Sequence, residues 1–273
     1  MSYATLNPAA ASPAGVCQAL SNALVAEMDL IGARGNFSNW GTSSGVTYAT
    51  EVFAPRDVAQ VTSPVFIRLD YGTHPSSYTY PQVYVTLGSM TGGVFTPVLS
   101  PMSVNFGNPI GGSLPYGFYV GNGSGFGFLL RRDENYFAFC LGGRVRTRQG
   151  APRDGYALRV GNTVQVYFPQ GGYALSGGLA AMSYPPTSKL EGQTEPLLVT
   201  PVVQVGGGVL APDLTPWEFL LSGTQDWAAQ QRRRLVLGGQ SLEFIAPFLA
   251  GGTDYGSSPT AALRAVFPLT VPS

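Results

Sequence analysis

Hydrophobic and polar positions alternate with a period of two along most of this chain, and one stretch near the start departs from that pattern. In "SPAGVCQALSNALVAEMDLIGARG", Ser12 to Gly35, the apolar residues Cys17, Leu20, Leu24, Met28 and Ile31 recur at steps of three and four. Steps of that size place side chains on one stripe of a helix. Ser12 suits the N-cap, Pro13 the first helical position, and Gly32 or Gly35 the end. Ser21, Glu27 and Asp29 fall on the opposite, polar face. The pattern predicts an amphipathic helix lying against a sheet or a neighbouring subunit.

From about Val46 the period becomes two. "VTYATEVF", "PVFIRLDY", "PQVYVTLGS" and "YFAFCLGG" read as strands, and "YALRVGNTVQVYF" as a hairpin turning at Gly161 and Asn162. Between them lie "GSMTGG", "GNPIGGSLPYG", "GNGSGFG" and "PQGG", whose residues favour tight turns. "GTHPSSYTYP", Gly72 to Pro81, reads as a loop and carries the chain's single histidine, His74. Regular turns at short spacing predict a mainly β fold. Its core would be an antiparallel sandwich or jelly roll from about Thr47 to Tyr184, with one N-terminal α-helix. "YPPTSKLEGQTEP", Tyr184 to Pro196, is polar and bounded by proline, as linkers are. The expected organisation is an N-terminal arm and helix over 1–35, a sandwich over 36–188 and a C-terminal β region over 189–273. The pattern leaves open whether that last region stands alone or completes the first sheet.

Composition sharpens the picture at one point. Hydrophobic residues make up 44% of the 273 and charged residues only 11%, against roughly 25% charged in an ordinary soluble domain. An isolated particle relies on a charged surface to stay dispersed, whereas the cores of protein interfaces are depleted of charge. The deficit therefore points to permanent assembly. Thirty-six Gly and 22 Pro would fit disorder, but 12% aromatic content does not. Fifteen basic residues balance fifteen acidic ones, so no net charge draws the chain to nucleic acid or an anionic membrane.

No apolar run approaches the ~18 residues of a spanning helix. "MSYATLNPAA" shows no basic segment followed by an apolar core, so no secretory leader is expected. Cys17 and Cys140 both sit in apolar patterns and read as inert core thiols.

Candidate chemistry is sparse. "GTSSG", Gly41 to Gly45, matches the G-x-S-x-G elbow with Ser43 as nucleophile, but a strand follows it where that motif requires a helix. "GNGSGFG" fits neither dinucleotide nor phosphate-loop spacing. One His, two apolar Cys and no calcium-loop pattern leave no metal-ligand set, and no cofactor is implied. Asp133, Glu134 and Asp226 are the carboxylates a polysaccharide depolymerase would draw on, with no pairing in space evident. "RVRTR" sets Arg144, Arg146 and Arg148 on one strand face, and Arg232, Arg233 and Arg234 form a second basic cluster. Phosphate or lipopolysaccharide could engage such rows, but at zero net charge salt bridges to an adjacent subunit fit them better. Tyr78 and Tyr80 give the His74 loop the Tyr/Ser chemistry of contact surfaces. These eight residues are the expected interface.

"SPVFIRLDYGTHPSSYTYPQVYVTLGSMTGG", followed by "YVGNGSGFGFLLRRDENYFAFCLGG" and "RDGYAL", resembles a group of tailed-bacteriophage virion proteins. The shared features are an apolar strand ending in an acidic-Tyr-Gly corner, a strand running into a Gly/Thr turn, and a later aromatic strand. The resemblance implies a structural subunit of the tail, baseplate or neck, made in the host cytoplasm and built into the virion. Its partners would be copies of itself and other virion proteins. A receptor-binding or capsid-decoration protein gripping a host-surface glycan is the alternative, and a polysaccharide depolymerase the second.

Overall fold

The N-terminal helix forms where the stripe places it but stops early. In the computed structural model α1 spans Pro13–Glu27, with the Ser12 hydroxyl accepting the Gly15 N–H at 3.1 Å as N-cap. Met28 is already extended, and Asp29–Ile31 form a strand that pairs with Val52–Ala54. Ile31, expected on the helix stripe, thus leaves the helix for a sheet. Arg56 supplies the stop. Its guanidinium donates to the carbonyls of Val25, Ala26 and Met28 at 2.8–3.3 Å and pairs with Asp29 at 2.7 Å. A cation on the last unpaired carbonyls also complements the helix dipole.

The structure describes residues 2–6, 12–105, 117–121, 123–131, 137–147, 154–160 and 163–178. It also describes seven strand backbones at 197–199, 203–205, 208–212, 219–222, 232–237, 240–245 and 263–268. Strands β1 (Ser2–Leu6), β2 (Asp29–Ile31), β3 (Thr47–Ala54), β4 (Phe66–His74), β5 (Ser77–Thr91), β6 (Val94–Pro97) and β7 (Met102–Asn105) come first. Then follow β8 (Gly117–Gly121), β9 (Phe126–Arg131), β10 (Phe137–Thr147), β11 (Asp154–Val160), β12 (Thr163–Phe168) and β13 (Tyr173–Gly178). A short helix, α2 (Ala59–Thr62), lies between β3 and β4.

Two antiparallel sheets make the sandwich. The smaller runs β2-β3-β4-β5-β6, with β7 also pairing β5. The larger runs β1-β8-β9-β10-β11-β12-β13. The fold is mainly β with a single N-terminal helix, as the periodicities predict. The turn at Gly92 and Gly93 calls for residues that tolerate positive φ, Gly first and Asn after it, because both positions have positive φ (58° and 81°) in the two-residue link from Thr91 to Val94.

The core lies where Ala49 and Phe53, Ile67, Leu69 and Tyr71, and Val83, Val85 and Leu87 meet Phe126, Phe128, Tyr156 and Leu158. Cys17, Leu20 and Leu24 of α1 join the same cluster. The helix packs on β4 and β5 of one sheet and on β1 and β8 of the other. The segment set apart as an arm in the sequence reading is therefore woven into the sandwich through β1 and α1.

The larger sheet is closed to solvent on both faces of β11. Tyr156 and Leu158 face the core, and the intervening Ala157 and Arg159 are equally buried. The C-terminal region contributes in two ways. Val203–Val205 (β15) pairs with Gly208–Pro212 (β16), and β16 pairs with the end of β10, so this part extends the larger sheet. Leu197–Val199 (β14), Phe219–Ser222 (β17), Arg232–Leu237 (β18), Gln240–Ile245 (β19) and Leu263–Pro268 (β20) form a third sheet.

Candidate functional site

Among the described residues, two polar knots are buried within the sandwich, and the first centres on Arg144. This residue sits in β10 on the strand face expected for it, yet it is only 5% exposed. Its Nε lies 2.9 Å from Asp57 Oδ2 and its Nη2 3.0 Å from Asp57 Oδ1. The same guanidinium donates to Gln60 Oε1 at 2.7 Å and to the Ser63 carbonyl at 2.8 Å. Its carbon stands 5.6 Å from the Tyr156 ring centroid. The carboxylate expected from a neighbouring subunit is thus the chain's own Asp57. Gln60 in turn binds both backbone groups of Val65. The result is a four-residue helix fastened from beneath, with Val58 and Val61 turned outward at 91% and 86% exposure.

A second knot forms around Glu51, which the alternation of β3 places on the core face between Ala49 and Phe53. The Ser21 hydroxyl of α1 donates to it at 2.9 Å, the Tyr71 hydroxyl of β4 at 3.0 Å and the Gly35 N–H at 3.0 Å. Arg34 stands 3.4 Å away. A buried carboxylate is tolerable only when its lone pairs are occupied in this way. Burial, and after it the charge of Glu51, pushes the Tyr71 hydroxyl well above the usual tyrosine range, so Tyr71 stays a donor. Ser21, assigned to the polar helix face from sequence, is buried here. The sequence signal for this knot was a Glu on an otherwise apolar strand face.

The His74 segment is a hairpin end rather than a loop. β4 runs to His74 and β5 starts at Ser77, leaving only Pro75 and Ser76 as the turn. The register jumps from Thr73–Pro81 to His74–Ser77, so Tyr78, Thr79 and Tyr80 bulge from the ladder. Tyr78 is exposed, and the Tyr80 ring centroid is 6.3 Å from that of His74. His74 Nδ1 accepts the Ser76 N–H at 3.1 Å, which puts the proton of the neutral ring on Nε2.

A cleft of about 310 Å³ opens beside α2. It is lined by Thr62 of α2, Phe66 of β4, Ser89 and Met90 of β5, Tyr167 of β12 and Gln170 of the 3-10 turn after it. Pro64 and Pro169 complete the lining.

The remaining sequence candidates separate. Arg146 pairs with Asp154 and Ala211 in the backbone register, and Arg232, Arg233 and Arg234 open β18 opposite Ile245, Phe244 and Glu243. The side chains of these four, and all of Arg148, Asp133, Glu134 and Asp226, lie outside the described residues. Ser43 sits in an exposed loop leading directly into β3, with its carbonyl held by Tyr48 and Thr73. Cys17 and Cys140 are buried, which pushes both thiols upward and keeps them protonated. Among the described residues no His, Cys, Asp and Glu gather as a metal centre would need. Comparison with protein-family models, curated proteins and solved structures finds no match to this chain.

Proposed function

We propose that this chain is a structural subunit of a bacteriophage particle, in the tail, baseplate or neck, assembling as a symmetric oligomer. One observation carries the assembly half of this reading: among the described residues, most charged side chains are already paired within the chain, and Glu51 and Arg144 are buried. Arg34 pairs with Glu51, Arg56 with Asp29, Arg68 with Asp70 and Arg144 with Asp57, all within one chain. In a protein only 11% charged, pairs of this kind leave the described part of the chain with little unpaired charge. Exposed Val58, Val61 and Val94 occupy part of its surface, and such a surface gains by meeting protein. The particle assignment draws on the resemblance of the Ser63–Gly93, Tyr119–Gly143 and Arg153–Leu158 segments.

Sedimentation velocity on the purified chain tests the assembly half. A discrete oligomer is expected, shifted toward monomer by Val58→Asp with Val61→Asp. A monodisperse monomer at high concentration overturns it. The particle half is read from the genes on either side, where tail or capsid proteins are expected and metabolic enzymes would sink it.

A further inference from the structure

The cleft beside α2 has a chemistry that subunit assembly does not use. At about 310 Å³ it lies at the lower end of small-molecule sites, roughly 300–1,000 Å³, so it admits one ring-sized unit. Its lining contains no Asp, Glu, Lys, Arg or His side chain. A charged ligand would enter without a counter-charge and lose its hydration. Thr62, Ser89 and Gln170 bring neutral hydrogen-bonding groups to the same space. A wholly apolar ligand would strip water from these groups and replace none of it.

One way an extended peptide binds is by adding a strand to an open sheet edge. Here the edge of β5 is already taken, since Ser89 pairs with Thr96 and Met90 with Phe95 of β6. The lining suits a neutral ring with an apolar face and hydroxyls around its rim. Phe66 and Tyr167 supply aromatic wall for the first and Thr62, Ser89 and Gln170 partners for the second. The walls are set in advance, because Arg144 and Gln60 fasten α2 and Val65. Little ordering cost then falls on binding.

We propose that this cleft binds one pyranose unit of an uncharged glycan. The site is separate from the His74 hairpin and does not depend on the chain forming an oligomer.

Saturation-transfer NMR on the full chain tests it. The probes are the methyl β-glycosides of glucose, galactose and N-acetylglucosamine, with glucuronic acid, glucosamine and octaproline as contrasts. Transfer to at least one neutral glycoside is expected, saturating near about 1 mM, as a single small ring allows. Thr62→Trp and Gln170→Trp place an indole in the cleft from two exposed positions, one in α2 and one in the 3-10 turn. Each should weaken binding by about tenfold or more, with an unchanged amide spectrum showing that the fold is kept. Absence of transfer to all three neutral glycosides overturns the proposal. So does undiminished transfer in a folded cleft-filling variant, or tighter binding of a charged sugar or of octaproline.

Discussion

Single residues in this protein act mainly as fasteners between distant parts of the chain. Arg144 is the clearest case, since one guanidinium holds Asp57, Gln60 and the Ser63 carbonyl from a strand more than eighty residues later. A buried ion pair is not in itself a large source of stability, because desolvation offsets attraction. Breaking it is another matter. Arg144→Ala should cost about 3–5 kcal/mol in urea unfolding, because Asp57 is left with no cation in a poorly hydrated site. Arg144→Met combined with Asp57→Asn should recover most of that loss, since no charge is then stranded and the amide can still accept the Gln60 N–H. Equal losses in the single and double variants would show that packing rather than charge dominates. Glu51 follows the same logic with different donors, joining α1, the loop at Gly35 and β4 through hydrogen bonds to one carboxylate.

At the scale of elements, the sandwich depends on close backbone approach as much as on apolar side chains. Gly72 of β4 lies where a Cβ would fall 2.2 Å from the Val46 carbonyl oxygen and 3.1 Å from the Thr47 Cα. Backbone atoms cannot swing aside as the tip of a side chain can. Gly72→Ala should therefore destabilise the chain by about 1–3 kcal/mol, measured as a lower urea midpoint. Gly92→Asn, at a turn with nothing within 4 Å of the added Cβ, should change it little, since Asn tolerates positive φ. The end of α1 is an element-scale event too. Residues Met28 to Ile31 have the apolar spacing of a continuing helix, but β3 offers Asp29–Ile31 a ladder and Arg56 takes the helix carbonyls.

At the scale of the whole molecule, five buried acids among the described residues share one direction of shift. Burial raises Cys17, Cys140, Tyr71, Tyr119 and Tyr156 above their ordinary values, and the charge of Arg144 only partly offsets this at Tyr156. The folded state holds these protons more tightly than the unfolded chain does. Their contribution is fully present below the unfolded values of about 8.5 for Cys and 10 for Tyr. It declines as pH rises past those values and is lost through the raised folded ones. The urea midpoint should stay level near neutrality and fall steeply between pH 9 and 11, by up to about 1.4 kcal/mol per pH unit for each ionising group. A midpoint unchanged at pH 11 would mean that these groups reach water in the fold.

Local periodicity by itself determined the helix start at Ser12, the alternating strands from Thr47 onward, the hairpin joining Val160 to Thr163 and the mainly β class. Those features follow from which neighbours along the chain share a face, and spacing alone encodes that. Tertiary structure decided the rest. It made the Tyr-bearing loop a bulged strand, turned Arg144 from a surface cation into a buried fastener, and closed Arg159 and Ser21 away from water. It also set Thr62, Ser89 and Gln170 around one cleft. Each of these outcomes depends on contacts between segments far apart in sequence. A row of charges or hydroxyls reads the same in one dimension whether its partner is water, another copy or a carboxylate elsewhere in the same chain.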